Sequence, residues 1–205
     1  MEFRDLVAKR ASIRKYLPDE VNEQDVMEML QIATRAANAG NQQTWRFFVV
    51  RSKDLLQKMA QAVSEAIDEL AQRVGRPERA PGAKKWSVFF QEAPCVIAVA
   101  VQRYNSPVDE MLRQSGYSQL ELDDLRCRPD LQSVGACIQL LLLAAEEKGY
   151  GACWMTAPMV ARPKLEQILG ITQPLSLAAL VPIGRPAEQP EPRPRKPVEE
   201  LVKFL

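Results

Sequence analysis

Arg10, Ser12 and Arg14 alternate in Lys9-Arg10-Ala11-Ser12-Ile13-Arg14-Lys15-Tyr16, so an extended backbone turns all three side chains to one face. Two guanidiniums and a hydroxyl on one face match a phosphate, which arginine grips through two parallel N–H donors. Arg193 and Arg195 repeat that spacing in Pro192-Arg193-Pro194-Arg195-Lys196-Pro197 and offer further anion contacts. Any one of these arginines, taken alone, is as readily a solvated surface charge. A third stretch, Asn38-Ala39-Gly40-Asn41-Gln42-Gln43-Thr44-Trp45-Arg46-Phe47, is rich in carboxamides. Each carboxamide carries a donor and an acceptor, so the stretch suits the edge of a planar heterocycle or a polyol chain without adding charge.

The chain has no histidine. That removes Ser-His-Asp and Cys-His triads, histidine-ligated zinc and the usual proton shuttle. An enzyme of this composition leaves its difficult chemistry to a cofactor. Cys95, Cys127, Cys137 and Cys153 show no metal or CxxC spacing, and three sit among apolar neighbours as inert reduced thiols. With 27 basic and 26 acidic residues the net charge is +1, which argues against a nucleic-acid or membrane-surface partner. The apolar runs Cys95 to Val101 and Leu140 to Ala145 are too short to span a bilayer, and the first residues lack a signal peptide's apolar stretch. A cytoplasmic protein of one domain over its 205 residues is expected.

The elements that must carry these residues follow from periodicity and punctuation. Residues 3–10 read as a short helix with Phe3, Leu6 and Val7 inward. Asn22 caps a second helix through Val26, Met29, Leu30, Ala33 and Ala37. Phe47 to Val50 is a strand, and Leu55, Met59, Val63, Ile67 and Leu70 keep a helical period over 54–73. Gly75, Pro77, Pro81 and Gly82 mark a loop, and Trp86 to Phe90 a short helix. Cys95 to Val101 is too continuously apolar to be half-exposed, so it is a buried strand. Residues 102–129 are polar and weakly patterned, an excursion over a site with some helix of its own. A long helix from Asp130 or Ser133 ends at Gly149, followed by a strand over 151–156, a helix over 162–169 stopped by Gly170, and a strand over 176–183. Helices interspersed with strands give an α+β or α/β domain of three layers. Trp45, Trp86 and Trp154 are read as core side chains and Glu146 and Glu147 as solvated. Tyr104, Tyr117, Arg103 and Arg113 in the excursion are candidates for a pocket mouth.

After Arg185 the prolines at 186, 190, 192, 194 and 197 force an extended arm, which ends in the apolar Leu201, Val202, Phe204 and Leu205. Such an arm is expected to lie across a partner subunit, giving a homodimer with exchanged arms.

Four segments in order resemble the nitroreductase family of flavin-dependent oxidoreductases: 10–14, 37–45, Gly149-Tyr150-Gly151-Ala152-Cys153-Trp154, and Pro182-Ile183-Gly184-Arg185-Pro186 with its arginine arm. The resemblance covers nearly the whole chain. It implies an α+β, three-layer α/β/α sandwich with a mixed, mainly antiparallel sheet, and a homodimer holding FMN at the subunit interface. By matched position, Arg10 and Ser12 resemble phosphate ligands, and Arg14 the cation near flavin N1 and O2. Asn38, Asn41 and Gln43 resemble ribityl or ring-edge contacts. Thr156 and Ala157 fall where the family aims a backbone N–H at flavin N5. Arg195 and Arg193 resemble phosphate ligands reaching in from the other subunit's tail. Three departures stand out: Ala11 replaces a common second arginine, Ala37-Asn38 the usual Pro-Ser, and Thr44 the usual proline before Trp45. The activity implied is hydride transfer from NAD(P)H through flavin to a small electron-poor acceptor such as a nitroaromatic or quinone. A specialised member (a reductive dehalogenase or flavin-fragmenting enzyme), a non-catalytic flavin-binding dimer, and a proline-rich docking tail are the alternatives.

Overall fold

Seven consecutive buried residues, Cys95 through Val101, form the middle of the molecule as strand β2 (Cys95–Gln102). The computed structural model describes residues 2–191 and 193–205; Pro192, counted above with the tail prolines, lies outside the described residues, as does Met1. β2 pairs antiparallel with β1 (Trp45–Val50) and with β4 (Leu175–Gly184), whose far edge takes β3 (Gly151–Ala152). Register is set by Phe48 opposite Ala98 and Ala98 opposite Leu180, with an irregularity between Val99 and Ala100. All pairs of named strands are antiparallel. The parallel element is a bridge from Ser12 to Ala152, so the N-terminal segment makes the sheet mixed.

The alternation of β2 divides the core in two. Cys95, Ile97, Val99 and Val101 face α2 (Glu23–Ala33) and α7 (Pro129–Glu147), meeting Met29, Ala33, Ile138 and Leu141. Val96, Ala98 and Ala100 face α3 (Lys53–Arg73) and α8 (Arg162–Leu169), meeting Met59, Val63 and Leu165. Helices thus cover both faces, and the fold is the α+β, three-layer nitroreductase-like architecture.

Local signals set most boundaries. Asn22 accepts the Gln24 N–H at the start of α2, and Gly170, at φ 67°, ends α8. α2 stops at Ala33, short of Ala37, because residues 35 and 36 turn into tighter bonds with Ile32 and Ala33. Pro81 and Gly82 are not loop residues: they lie in the first turns of α4 (Ala80–Ser87), where a missing proline N–H costs nothing. The strand expected over 151–156 keeps its register as far as Met155 opposite Leu180, but regular strand covers only Gly151–Ala152. The excursion holds two helices, α5 (Pro107–Gln114) and α6 (Gln119–Arg126).

Three expectations about burial fail. α1 (Phe3–Lys9) forms but buries none of its residues, leaving Phe3 and Val7 exposed. Trp45 is core, whereas Trp86 and Trp154 are 53% and 41% exposed, because each stands on the outer side of its element beside charged or helical neighbours. Glu146 is not simply solvated: Lys9 pairs with it at 3.1 Å and covers it.

Candidate active site

The N-terminal segment is held on both edges. Ile13 N–H donates to the Ala152 carbonyl at 3.1 Å on one side. On the other, Leu17 N–H donates to Arg185 O at 2.8 Å and Ala187 N–H to Lys15 O at 3.0 Å. Glu188 Oε1 accepts the Arg14 N–H at 2.8 Å. Extended and clamped in this way, the segment realises the expected alternation. Ile13 turns into the protein, while Arg10, Ser12 and Arg14 line a cleft of about 590 Å³. Arg193 and Arg195 line the same cleft, in their own chain, together with Gln139 of α7. Lys9, Ala11 and the edge of Ile13 line a second, adjoining hollow of about 300 Å³.

Arg14 is braced twice: its Nη1 donates to Ser12 O at 3.1 Å, and its guanidinium sits 5.6 Å from the Trp86 ring centre. Two groups near the cleft are silenced by burial. Tyr16 donates to Ile13 O at 2.6 Å, and burial drives its pKa well above the usual phenol range. Cys153, beside Ser12, has its thiol pushed up by burial against the opposing pull of Arg14, Ser12 and Arg10. Burial likewise lifts Cys95 to about 11 and Cys137 to about 12. No thiolate nucleophile is available at neutral pH from these three. Of the free cysteines only Cys127 is exposed. A disulfide reagent should therefore titrate one thiol in the native protein and all four in denaturant; a second fast native thiol would contradict this burial.

The amide stretch folds into a wound loop. Gly40, Asn41 and Gln43 have φ of 56°, 50° and 47°, and for the two non-glycines that conformation is strained. Asn38 pays for it: its Oδ1 accepts the Gln43 N–H at 2.9 Å and its Nδ2 donates to Ala36 O at 3.2 Å. Asn38 therefore holds the loop, while Asn41 and Gln43 sit exposed on it. Ser133 ties the loop to α7, accepting the Ala39 N–H at 3.1 Å while donating to Pro129 O. Thr156 and Ala157, both exposed, open the 3-10 turn Ala157–Ala161, so their N–H groups need no partner within the turn.

The described residues thus bring five predicted positions (Arg10, Ser12, Arg14, Arg193, Arg195) into one cleft, while Asn38, Asn41, Gln43, Thr156 and Ala157 lie outside its lining. Gln139, Ser133 and Glu188 escaped the sequence reading. Ser133 was visible only as a helix-start residue, and nothing near Glu188 in sequence marks its contact with Arg14, 174 residues away.

The joint between α7 and β3 is electrostatic. Lys148 Nζ donates to Asp25 Oδ1 at 2.8 Å and Glu28 Oε2 at 2.5 Å, and Tyr150 Oη donates to Asp25 at 2.7 Å. Arg185 closes it, bonding the Lys148 and Gly149 carbonyls and stacking 4.2 Å from the Tyr150 ring centre. The Lys148 hydrogen bonds hold Asp25 and Glu28 below the usual carboxylate range and raise the ammonium. Lowered carboxylates contribute above their unfolded pKa of about 4 and lose that contribution as pH falls through the folded value; the raised lysine contributes below about 10.4 and loses it only above that. The Tm gap between wild type and Lys148→Met should be widest between about pH 5 and 10 and shrink below about pH 4. A gap independent of pH would refute the linkage.

A model of the nitroreductase family matches residues 7–185. The NADH dehydrogenase of Thermus thermophilus is 29% identical over 98% of this chain and 95% of its own. The crystal structure of a BluB-like flavoprotein from Clostridium difficile 630 aligns with a TM-score of 0.90 at 28% identity, covering 100% of this chain and 99% of that one. Iodotyrosine deiodinase bound to FMN and 3-iodo-L-tyrosine shares the fold at a TM-score of 0.75 and 22% identity, over 100% and 99% of the two chains. Among the described residues, no helix is long and apolar enough to cross a membrane. The segment that shapes the cationic cleft, the strand it rests on and the helices beneath them all fall within the matched range, and the chain belongs to the nitroreductase family.

Proposed function

We propose that this protein is a cytoplasmic, homodimeric, FMN-dependent oxidoreductase using NAD(P)H. The observation that carries the reading is the convergence of Arg10, Arg14, Arg193 and Arg195 with the Ser12 hydroxyl on one cleft. Glu191 is the acidic residue in that lining, so the donor set suits a phosphate dianion and repels a cation. Arg10, Ser12, Arg193 and Arg195 would hold the phosphate. When bound, FMN would supply two-electron hydride chemistry, with NAD(P)H as the proposed donor and an electron-poor compound such as a nitroaromatic or quinone as the proposed acceptor in a ping-pong cycle. Arg14, braced by Ser12 and Trp86, keeps a permanent positive charge in place. Asn41 and Gln43 offer uncharged donors and acceptors at the ring edge or ribityl chain, on a loop that Asn38 keeps wound. Thr156 and Ala157 offer backbone N–H donors toward the reactive edge.

The arm ends with Leu201, Phe204 and Leu205 exposed, apolar surface that a second subunit would cover. Truncation after Gly184 should therefore remove the dimer and the bound FMN together. If the 102–129 excursion closes over the acceptor, its mutually paired Arg103, Asp123 and Arg128, with Asp130 beside them, would make that cover polar and suit a charged acceptor, which keeps a specialised reductive dehalogenase as the second reading. Spectra of the purified protein before and after denaturation test the main reading. Released FMN, with a band bleached anaerobically by NAD(P)H, supports it; a colourless protein indifferent to added FMN rejects it. Reoxidation of the reduced protein by a panel of nitroaromatics, quinones and halogenated phenols separates the two readings.

A further inference from the structure

We infer that Gln42 is a positioning residue that joins the amide loop to the root of the α5–α6 excursion, so that the loop proposed to meet the cofactor edge and the excursion expected beside the acceptor hold one relative placement. The kinetic part of this inference rests on the proposed oxidoreductase function; the structural part does not.

Gln42 spends both ends of its carboxamide on one residue of the excursion. Its Nε2 donates to Asn105 O at 2.6 Å, and its Oε1 accepts the Asn105 N–H at 3.4 Å. The neighbouring Tyr104 ring lies against Gly40, 3.5 Å from where a side chain there would begin. From Asn105 the contacts run into the excursion: Arg113 of α5 donates to Asn105 Oδ1 at 2.7 Å. Asp109 of α5, buried, then accepts from Arg126 of α6 at 2.9 Å and from the Ser106 hydroxyl at 2.6 Å. Burial works to raise the Asp109 pKa, but the Ser106 and Arg126 hydrogen bonds outweigh it and hold the carboxylate ionised, so the two helices stay pinned to each other.

On the other side, Gln42 is flanked by Asn41 and Gln43, the two left-handed residues proposed to meet the cofactor edge. Glutamate keeps the acceptor but not the donor, and leucine keeps neither.

Hydrogen exchange of the protein without added flavin tests the joint. In Gln42→Leu and Gln42→Glu, peptides over 103–116 should exchange roughly tenfold faster, the effect of losing one or two ordinary hydrogen bonds. β2 should keep its protection. In Gln42→Glu alone the acceleration should fade as pH falls toward about 4, where a protonated carboxyl regains a donor. In flavin-loaded enzyme both variants should raise the acceptor KM several-fold while FMN affinity stays within twofold. Wild-type exchange over 103–116, or faster exchange spread equally into β2, overturns the joint. Faster local exchange with an unchanged acceptor KM in an active enzyme overturns its coupling to the site. A protein that proves to bind no flavin leaves the exchange result standing and refutes only the functional reading.

Discussion

Replacing Gly151 by alanine is expected to lower Tm by roughly 5–10 °C and to abolish retention of FMN through gel filtration. A Cβ at Gly151 would lie 2.6 Å from Ile13 Cγ1 and 2.7 Å from Ile13 Cβ and Cγ2, closer than carbon atoms approach. Ile13 is buried and β-branched, so it has no alternative rotamer to retreat into. The N-terminal segment must move instead, and overpacking of this kind costs about 1–3 kcal/mol. The same segment carries Arg10, Ser12 and Arg14, and pushing Ile13 off β3 breaks the Ile13–Ala152 hydrogen bond that sets their direction. Stability and binding should therefore fall together. Ile13→Ala in the Gly151→Ala background should recover part of both losses, since the two sites touch and their effects are not additive. A single Gly151→Ala variant with wild-type Tm and bound flavin would show that the segment does not rest on β3 as described.

Arg10→Ala is expected to weaken FMN binding about 10- to 100-fold, with the apoprotein's Tm nearly unchanged. A hydrogen bond to a charged group contributes about 1.5–3 kcal/mol, and Arg10 lines a cleft whose other cations would remain. Arg10→Lys should fall between wild type and alanine, because the charge is kept but the two-pronged geometry is lost. Raising salt should weaken wild-type binding more than the variant's, since one fewer charge pair is left to screen. Fluorescence titration of apoprotein with FMN reads the wild type and both variants. Equal affinities for wild type and Arg10→Ala would remove the phosphate from this cleft.

Much of this architecture is local and was therefore legible. The alternation of Arg10, Ser12 and Arg14 required only an extended backbone, and the structure has one. The buried strand at 95–101, the Asn22 cap and the Gly170 stop were each written in neighbouring residues. Pro81 misled because proline reads alike in a loop and in a helix's first turn, where it does no harm. Trp86 misled because its size suggests core, whereas Arg14 and Lys85 face its ring at the surface.

The chain's own order therefore specified which groups could grip an anion, which periods would pack, and that no histidine could shuttle protons. Folding alone decided which groups meet. Glu188 reaches the Arg14 amide across 174 residues, Ser133 the amide loop across 94, and Gly151 must be bare because Ile13 lies on it. Patterns along a chain record periodicity and local bonding; contacts between distant segments depend on how whole layers stack, and no short window of residues encodes that.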